Sequence, residues 1–368
     1  MKTRPKKIGF YTEGPAFDGG TLDSRALGGS ETALIQAARA LADRGCEVTV
    51  FNNCEAPGTH RGVSYYPRPS FPRHAAAGFD VFIVSRFYGF FQVPFPAGMK
   101  VLWNHDTLDR PDGLRAVQDR VDLFFVLSDF QARNYLTRLP RLEPRLIVTR
   151  NGVDLDLINR AATGATRDQN TVMYASRPER GLKVLLENIW PEMIKARPNL
   201  TLRLCGYQGD PAACVPGLEK LYADIDLLVR TTPGVAPLGA LAKHDYYRCL
   251  ASSALMIYPC SFPEISCLAA LEAQASGTPI LTTDDFALSE TVRTDFFKVP
   301  GRPGAPEYDR EFISRALYLL DNREKTLAWA EKAREEVTAL YSWDRIVAEW
   351  DRIFDLHLAR RGPTPRKD

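Results

Sequence analysis

The protein has 368 residues, a length that suits two domains of ordinary size. Its residues are 45% hydrophobic and 25% charged, as in typical globular proteins, and no apolar run approaches the roughly 18 residues that span a bilayer. A net charge of +2 argues against nucleic acid as the main partner. Seven scattered cysteines without a C-x-x-C pair and five dispersed histidines predict reduced thiols and no metal cluster.

The first half of the chain alternates short apolar runs with helical patterns. Helical periodicity marks residues 30–44 and 130–139. Six runs of four to eight residues are apolar enough to be strands covered on both faces: KIGFYTE, EVTVFNN, DVFIVSR, KVLWNHD, DLFFVLS and RLIVTRNG. The first run follows the basic N-terminus directly, which argues against a secretory signal. The alternation predicts a doubly wound parallel sheet.

The same pattern starts again after residues 159–171, a polar segment without apolar periodicity. The new series comprises the strand TVMYASR, the helix GLKVLLENIWPEMIKA, and the strands LTLRLCGY, LMIYPC and PILTTD. From Asp309 onward the pattern is helical. The sequence therefore predicts an α/β protein of two tandem Rossmann-like domains, residues 1–160 and 161–344, with a cleft between them.

The most informative stretch is YPCSFPEISCLAALEAQASGTPILTTD, in which a strand, a loop and a helix follow one another. Ser266 is the predicted N-cap of the helix; Glu264 precedes it and Glu272 lies inside it. A carboxylate inside the helix can accept hydrogen bonds from a ribose diol, and N–H groups at the helix start suit a diphosphate. Those N–H groups belong to Ser266, Cys267 and Leu268. From spacing alone, two solvated acids near a helix end remain an equal alternative.

The stretch resembles the E-x7-E signature of retaining glycosyltransferases with the GT-B architecture, above all glycosyltransferase family four, or glycosyl transferases group one. The matching positions are Pro259, Glu264, Leu268, Leu271-Glu272-Ala273, Gly277 and Pro279. The departure is Ile265-Ser266-Cys267, where the family commonly has Gly-Phe-Gly. Because the backbone there approaches the phosphates and the sugar, this change leaves the donor sugar open.

The resemblance extends over nearly the whole chain. Gly28 and Gly29, followed by Glu31, match the family's GG-x-E loop before its first helix, where glycines let the backbone approach a ligand closely. The segment ALADRGCEVTVF also follows the family closely. His105, at a strand end in a W-x-H-D context, matches a family histidine that contacts the donor sugar and assists the reaction. The terminal helix, residues 345–368, resembles the segment that crosses back to the first domain.

A strand-end arginine and a following basic residue are also matched in the second domain. Arg177 matches the arginine, and Arg180, directly before Gly181, stands where lysine is usual. Lys183 is a second candidate for that basic position. Two cations beside a helix start can neutralise a leaving diphosphate, a task that a metal performs in other transferases. The alternative for Arg180 and Lys183 is an ordinary exposed surface position.

The resemblance implies a metal-independent enzyme without a cofactor, whose donor substrate is a nucleoside-diphosphate sugar. Glu272 would bind the ribose, Arg177 and Arg180 the diphosphate, and Glu264 and His105 the sugar. The second domain would bind the donor and the first a sugar, lipid-linked or small-molecule acceptor. The expected location is the cytoplasm, with peripheral contact at the inner membrane face as an option.

Two alternatives stay open, and a third is disfavoured. A sugar-nucleotide epimerase or a non-catalytic sugar-nucleotide-binding protein would keep the same scaffold. A glycoside hydrolase needs two carboxylates that flank one bond, and a helix rise of about 1.5 Å per residue makes the glutamates too distant.

Three further segments are interpreted structurally. The triplet Asp224-Ile225-Asp226 lies in a helical pattern that turns its acids to solvent, which argues against a metal site. The aromatic segment 85–100 is interpreted as a packed loop. The basic segment 131–150 is interpreted mainly as a solvated helix; contact with an anionic membrane or a pyrophosphate-linked acceptor is the alternative.

Overall fold

The computed structural model describes residues 4–206 and 215–361, which form two compact units. The first unit comprises the chain up to Leu22, Leu27–Gly152, and the chain from Tyr341 onward; the second comprises Asp23–Ala26 and Val153–Leu340. The division after Gly152 lies eight residues before the expected boundary at residue 160. The shift arises because the helix Leu155–Ala162 packs against the helix Lys243–Ala251 of the second unit.

The first unit is built on an eight-stranded sheet. Its strands are β1 Lys7–Tyr11, β2 Glu47–Asn52, β3 Gly58–His60, β4 Val63–Pro67, β5 Val81–Ser85, β6 Met99–Trp103, β7 Leu123–Val126 and β8 Leu146–Val148. Their order is β3-β4-β2-β1-β5-β6-β7-β8, and all pairs are parallel except β3 with β4. The six predicted strands are confirmed. Strands β3 and β4 were not predicted.

Helices cover this sheet, and an aromatic core fills the space beneath them. The helices are α1 Thr21–Ser24, α2 Gly29–Asp43, α3 Phe71–Ala75, α4 Asp112–Arg115 and α5 Asp129–Arg138. Phe90 and Phe95 pack against Phe82, with ring centroids 4.8 Å apart for Phe82 and Phe95, and Phe91 packs against Phe95. The aromatic segment 85–100 is therefore a packed loop, as predicted.

The second unit has a six-stranded sheet in which every pair is parallel. Its strands are β9 Asp168–Ala175, β10 Thr201–Cys205, β11 Val235–Gly239, β12 Ser253–Tyr258, β13 Ile280–Thr283 and β14 Lys298–Val299. The order β11-β10-β9-β12-β13-β14 corresponds to the Rossmann order 3-2-1-4-5-6. Two neighbouring elements, β11 and the helix that follows it, were not predicted.

Helices flank the second sheet. They are α6 Leu155–Ala162, α7 Leu182–Val184, α8 Trp190–Ala196, α9 Glu219–Thr231, α10 Lys243–Ala251, α11 Leu268–Ala275, α12 Leu288–Thr291, α13 Pro306–Asp321 and α14 Arg323–Tyr341. A π-helical turn, Leu185–Ile189, joins α7 to α8, so the two continue each other. The long helical pattern predicted after Asp309 is confirmed.

The last helix, α15 Trp343–Arg361, belongs to the first unit. The indole Nε1 of Trp350 donates to Thr149 Oγ1 at 2.7 Å, and Trp343 Nε1 donates to Gln36 Oε1 at 2.8 Å. Lys6 forms ion pairs with Asp351 and with Asp355. The predicted terminal helix spans 345–368, of which residues 362–368 lie outside the described part.

No helix within residues 4–206 and 215–361 is long and apolar enough to cross a membrane. Two arginines of the basic segment 131–150 are used within the first unit. Arg145 donates to the carbonyls of Gln118 and Val121 at 2.9 and 2.8 Å and lies over the Phe124 ring. Arg150 lies over the Tyr341 ring. These contacts favour the structural interpretation of that segment.

Candidate active site

The loops after β9 and β12 approach each other at one edge of the second sheet. These two strands are neighbours, and the chain proceeds from them in opposite directions along the sheet. In open α/β sheets, ligands bind outside the carboxyl ends of the strands at this switch point. A Cβ atom on Gly181 would lie 1.9 Å from the Pro259 carbonyl oxygen, and Gly181 has φ +121°. Only glycine fits there, because the two loops touch through their backbones.

An ion pair joins those loops. Arg180 follows β9, and its Nη1 donates to Glu264 Oε1 at 2.8 Å. Tyr258, the last residue of β12, donates its hydroxyl to the same oxygen at 2.7 Å. The guanidinium also lies over the Phe262 ring, 4.0 Å from the centroid. Since Glu264 is buried, two donors and an aromatic face hold the pair in one geometry.

The environment keeps the Arg180 guanidinium ionised. Burial lowers the pKa of the Arg180 guanidinium, but the Glu264 carboxylate raises it more, and the net pKa lies above the ordinary value. Burial, together with Glu264, raises the pKa of Tyr258, which therefore stays a neutral donor. The Nε of Arg180 is buried and has no hydrogen-bond partner. One N–H donor of the Arg180 guanidinium is therefore unused at the edge of the sheet where ligands bind.

Arg177 and Lys183 lie on the same stretch of chain but have other partners. Arg177 Nε donates to Glu179 Oε1 at 2.8 Å, and Tyr222 donates to Glu179 Oε2 at 2.6 Å. Lys183 Nζ donates to Asp224 Oδ2 at 2.9 Å. Asp224 belongs to the D-x-D triplet, which lies on helix α9, so one acid of that triplet neutralises a lysine.

Helix α11 starts one residue later than predicted. Its first helical residue is Leu268, and the N-cap is Cys267, with φ +51°. The prediction that Ser266 is the N-cap is therefore wrong: the left-handed Cys267 takes that position, and the Ser266 hydroxyl is buried without a partner. The N–H groups of Ala270 and Leu271 donate to the Cys267 carbonyl, at 3.1 and 3.2 Å. Those of Leu268 and Ala269 precede the first helical hydrogen bond and remain a place for an anion.

The cysteines near this helix are not candidate nucleophiles. Burial, followed by the Glu264 charge, raises the pKa of the Cys260 thiol to about 12. The same two causes raise the pKa of the Cys267 thiol well above its usual range. Since the thiolate is the reactive form, both side chains act as small buried groups.

Glu272 lies inside α11, buried beneath a lysine. Lys243 Nζ lies 2.5 Å from Glu272 Oε1, and the Tyr247 hydroxyl donates to the same oxygen at 2.8 Å. Lys243 is the first residue of α10, the helix that follows β11. Glu264 and Glu272 thus have separate sets of partners, which lie on different elements of the second unit. The arrangement gives the two carboxylates different chemical surroundings.

The first unit has polar groups at the corresponding edge of its own sheet. Gly28 is the N-cap of α2, and a Cβ atom there would lie 2.4 Å from Glu31 Oε2, so a side chain at this position would displace the buried Glu31 carboxylate. Gly29 is the first helical residue of α2. Arg86 follows β5 directly and has φ +68°, which is uncommon for a residue with a side chain. Its guanidinium forms two hydrogen bonds to Asp106, at 2.8 and 3.1 Å.

His105 lies two residues after the end of β6. Its ring packs edge-on against Trp103, with centroids 4.3 Å apart, and its Nε2 is buried without a hydrogen-bond partner. Burial, followed by the Arg86 charge, lowers the pKa of His105 to about 3. The imidazole is therefore neutral at physiological pH.

A pocket of about 290 Å³ adjoins Arg86 and Asp106 in the first unit. Two tyrosines, Tyr88 and Tyr135, and Asn104 also line it. The Tyr135 hydroxyl is buried and has no hydrogen-bond partner. Hydroxyl, amide and paired charged groups around aromatic rings suit a small polyhydroxylated molecule. Among the described residues, the chain has no cluster of three or more His, Cys, Asp or Glu side chains that could hold a metal ion.

Residues 169–322, which carry Arg177, Arg180, Glu264 and Glu272, match the sequence model of the family described as glycosyl transferases group 1. The match lies within the second unit and covers less than half of the chain. A curated relative, D-inositol 3-phosphate glycosyltransferase from Streptomyces scabiei, is 30% identical over 166 residues, which are 40% of this chain. The chain spans only about a third of the length of that relative, 35%.

Solved structures show a likeness in fold that covers both units. Sucrose-phosphate synthase from Thermosynechococcus elongatus aligns with a TM-score of 0.75 and 18% identity, over 97% of this chain and 100% of the other. The Anabaena protein HepE, in complex with UDP and glucose, aligns with a TM-score of 0.71 and 17% identity, over 95% and 99% of the two chains. At these identities the likeness concerns the fold, and it confirms the predicted GT-B class of two Rossmann-like domains.

Two polar residues at these edges, one in each unit, were not predicted. Lys243 of the second unit follows β11, a strand that was not predicted, so nothing in the sequence placed it beside Glu272. Arg86 could have been found, because it is the last residue of the predicted strand DVFIVSR, and that strand pairs with the first strand of its sheet. The structure brings Arg180 and Glu264 together, while Arg177 and Lys183 contact other acids.

Proposed function

We propose that the protein is a retaining, metal-independent glycosyltransferase that moves a sugar from a nucleoside-diphosphate sugar to a hydroxyl group, in glycan or glycoconjugate biosynthesis. The observation that carries this proposal is the Arg180–Glu264 ion pair at the switch point of the second sheet. It supplies a fixed positive charge with an unused N–H where a diphosphate would bind, and a fixed carboxylate next to it. The match of residues 169–322 to the model of the group 1 family supports the assignment.

Each candidate site residue of the second unit has a part in this proposal. The first N–H groups of α11, together with Arg180 and Arg177, neutralise the diphosphate as it leaves. Lys183 adds a third positive charge near the start of α7. Glu264 orients the sugar, and Glu272 accepts a hydrogen bond from the ribose. Side-chain cations thus take over the charge neutralisation that a divalent ion provides elsewhere.

Retention is proposed from the family resemblance, by a single front-face displacement in which neither glutamate forms a bond to the sugar. Oε1 of Glu264 is engaged by Arg180 and Tyr258, and Oε1 of Glu272 by Lys243 and Tyr247. In the proposed step, the acceptor oxygen bonds to the anomeric carbon on the face that the diphosphate leaves. The bond from that carbon to the phosphate oxygen breaks, and the acceptor proton passes to the departing diphosphate.

The first unit is proposed to bind the acceptor in the pocket beside Arg86, Asp106 and Tyr135. Gly28 and Gly29 are proposed to let the α2 start approach a bound substrate closely. The part assigned to His105, contact with the donor sugar, rests on the resemblance to the family. A neutral imidazole suits that part, because one of its nitrogens can accept and the other can donate a hydrogen bond.

Donor binding is the first test. The protein is titrated calorimetrically with UDP-, GDP-, ADP- and dTDP-sugars, with and without EDTA, and we expect one nucleotide class to bind equally well in both buffers. UDP-glucose is tried first, since HepE was crystallised with UDP and glucose. Absence of binding by all four classes would refute the proposal, and binding that EDTA abolishes would refute metal independence.

Turnover separates the enzyme from its alternatives. NMR of the bound donor with a panel of sugar and polyol acceptors should show a new glycoside whose anomeric configuration matches the donor. An epimerised donor with no transfer would indicate an epimerase, and an unchanged donor a binding protein. Arg180→Gln should lower kcat about 100- to 1000-fold, whereas Arg180→Lys should keep most activity. Arg197→Gln, a surface arginine paired with Asp321, is the matched control.

A further inference from the structure

The Lys243–Glu272 pair is nearly closed to solvent, yet it lies at the edge of the sheet where ligands bind. The Lys243 side chain is 12% exposed and that of Glu272 is 3% exposed. Lys243 follows β11, and Glu272 lies in α11, the first helix after β12. Both charges act on Cys205, the last residue of β10, so they lie near the carboxyl end of that strand.

The two oxygens of the Glu272 carboxylate are not equivalent. Oε1 accepts from both the Lys243 ammonium and the Tyr247 hydroxyl, and a carboxylate oxygen has two lone pairs. Both lone pairs of Oε1 are therefore occupied, and Oε2 is the oxygen left to accept from a ligand. A ribose diol has two hydroxyl groups, so a second protein group is needed for the hydroxyl that does not bind Oε2.

Lys243 is held where it can serve the other hydroxyl. Its ammonium lies 5.0 Å from the Tyr246 ring centroid and 5.3 Å from the Tyr247 ring centroid, so two aromatic faces confine it. An ammonium has three N–H donors, and the bond to Glu272 uses one. A buried ion pair adds little net stability by itself, which favours a role in recognition.

Building on the proposed function, we propose that Lys243 and Glu272 together recognise the donor ribose. Glu272 Oε2 accepts a hydrogen bond from one ribose hydroxyl, and Lys243 Nζ donates to the other. Lys243 is then a specificity-determining residue that favours ribonucleotides over deoxyribonucleotides. The pair recognises the two ribose hydroxyls, so its contribution to binding is the same for every base.

The test is calorimetric titration of the full chain. The tightest binder among UDP, GDP and ADP is compared with its own 2′-deoxy and 3′-deoxy forms. The wild type should lose about 10-fold or more in affinity for each missing hydroxyl, because each bond involves a charged partner. Lys243→Met should bring one deoxy form to within about threefold of the parent, and Lys243→Arg should restore discrimination.

Tyr247→Phe is the matched control. Tyr247 is fully buried and bonds to the same Glu272 oxygen, so it supports the carboxylate without reaching a ligand. This variant should weaken the parent and both deoxy forms by one common factor. Lys243→Met acting in that same uniform way would mean that the lysine only holds Glu272, and the inference would be overturned.

The wild type alone also decides the matter, should Lys243→Met fail to fold with Glu272 left unpaired. Equal affinity of the wild type for the parent and both deoxy forms overturns the inference and leaves the proposed function standing. Binding of dTDP alone also overturns the inference and leaves the proposed function standing, whereas no binding of UDP, GDP, ADP or dTDP overturns both.

Discussion

At the scale of single residues, His105 is held neutral by its surroundings. Burial and the nearby Arg86 charge both disfavour the imidazolium, and the Nε2 atom has no partner within the described chain. A neutral ring can exchange hydrogen bonds with a sugar hydroxyl, but it adds no charge to the site.

This neutrality predicts a pH-dependent stability. The folded pKa of about 3 lies below the unfolded value of about 6.5. The unfolded chain therefore binds more protons between these values, and the stability from His105 is complete above pH 6.5 and lost as pH falls towards 3. The urea midpoint of the wild type should drop more between pH 7.5 and pH 5 than that of His105→Gln. Equal drops would contradict the assignment.

Cys267 shows a different constraint, that of the backbone. Its φ of +51° lies in the left-handed region, where the family resemblance has glycine. Replacing it by glycine and by alanine removes the same sulfur, and only alanine keeps a Cβ atom. Cys267→Gly should therefore be more stable than Cys267→Ala by about 1 kcal/mol, measured by chemical denaturation. Greater stability of the alanine variant would show that the backbone there carries no strain.

At the scale of elements, the candidate site depends on the contact between the loops after β9 and β12. Gly181 lets the first loop pass directly over the Pro259 carbonyl, and this places Arg180 next to Glu264. The contact joins two backbones, so neighbouring side chains cannot relieve a clash by changing rotamer.

Gly181→Ala should therefore separate the loops. The added methyl group would meet a carbonyl oxygen at 1.9 Å, in a residue already at φ +121°, and the backbone must move. We expect a loss of about 2–4 kcal/mol in unfolding free energy and a drop in nucleotide affinity. Gly164→Ala is the control, since φ is +73° there but no atom lies within 4 Å of the added methyl. Similar losses at both positions would show that φ alone is responsible.

The same elements show what the sequence could predict. Buried parallel strands are continuous apolar runs, and all such runs gave strands. Strands β3, β4, β11 and β14 were missed. β3 and β14 have only three and two residues, β4 has only two fully buried positions, and β11 contains Pro237 and Gly239. The helix start was misplaced because a cysteine in the left-handed conformation leaves no sequence signal. Arg180 and Glu264 are 84 residues apart, and only the family resemblance placed them in one site. No pattern in the sequence indicated the contact between Lys243 and Glu272.

At the scale of the whole molecule, the first unit is assembled from both ends of the chain. Trp350 of α15 is fully buried, with ring centroids 5.0 Å from Trp103 and 5.2 Å from Phe125. These two residues end β6 and lie within β7, so the terminal helix completes the core of a sheet formed much earlier in the sequence.

Trp350→Ala should thus destabilise the first unit by about 3–5 kcal/mol and lower its unfolding temperature. Nucleotide affinity below that temperature should stay close to the wild-type value, because the residues proposed to bind it lie in the second unit. Leu356→Ala, on the same helix and 64% exposed, is the matched control and should change stability by less than about 0.5 kcal/mol. Loss of nucleotide binding in folded Trp350→Ala would assign part of that binding to the first unit.

The position of α15 also governs how the protein is made. Phe125 leaves the ribosome about 225 residues before Trp350, a delay of roughly 10 to 45 seconds at ordinary rates of synthesis. Throughout that time the nascent first unit exposes an aromatic surface, while the second unit is being synthesised. We therefore expect newly made chains to be prone to aggregation at this stage, and a product cut short before α15 to keep the same surface exposed.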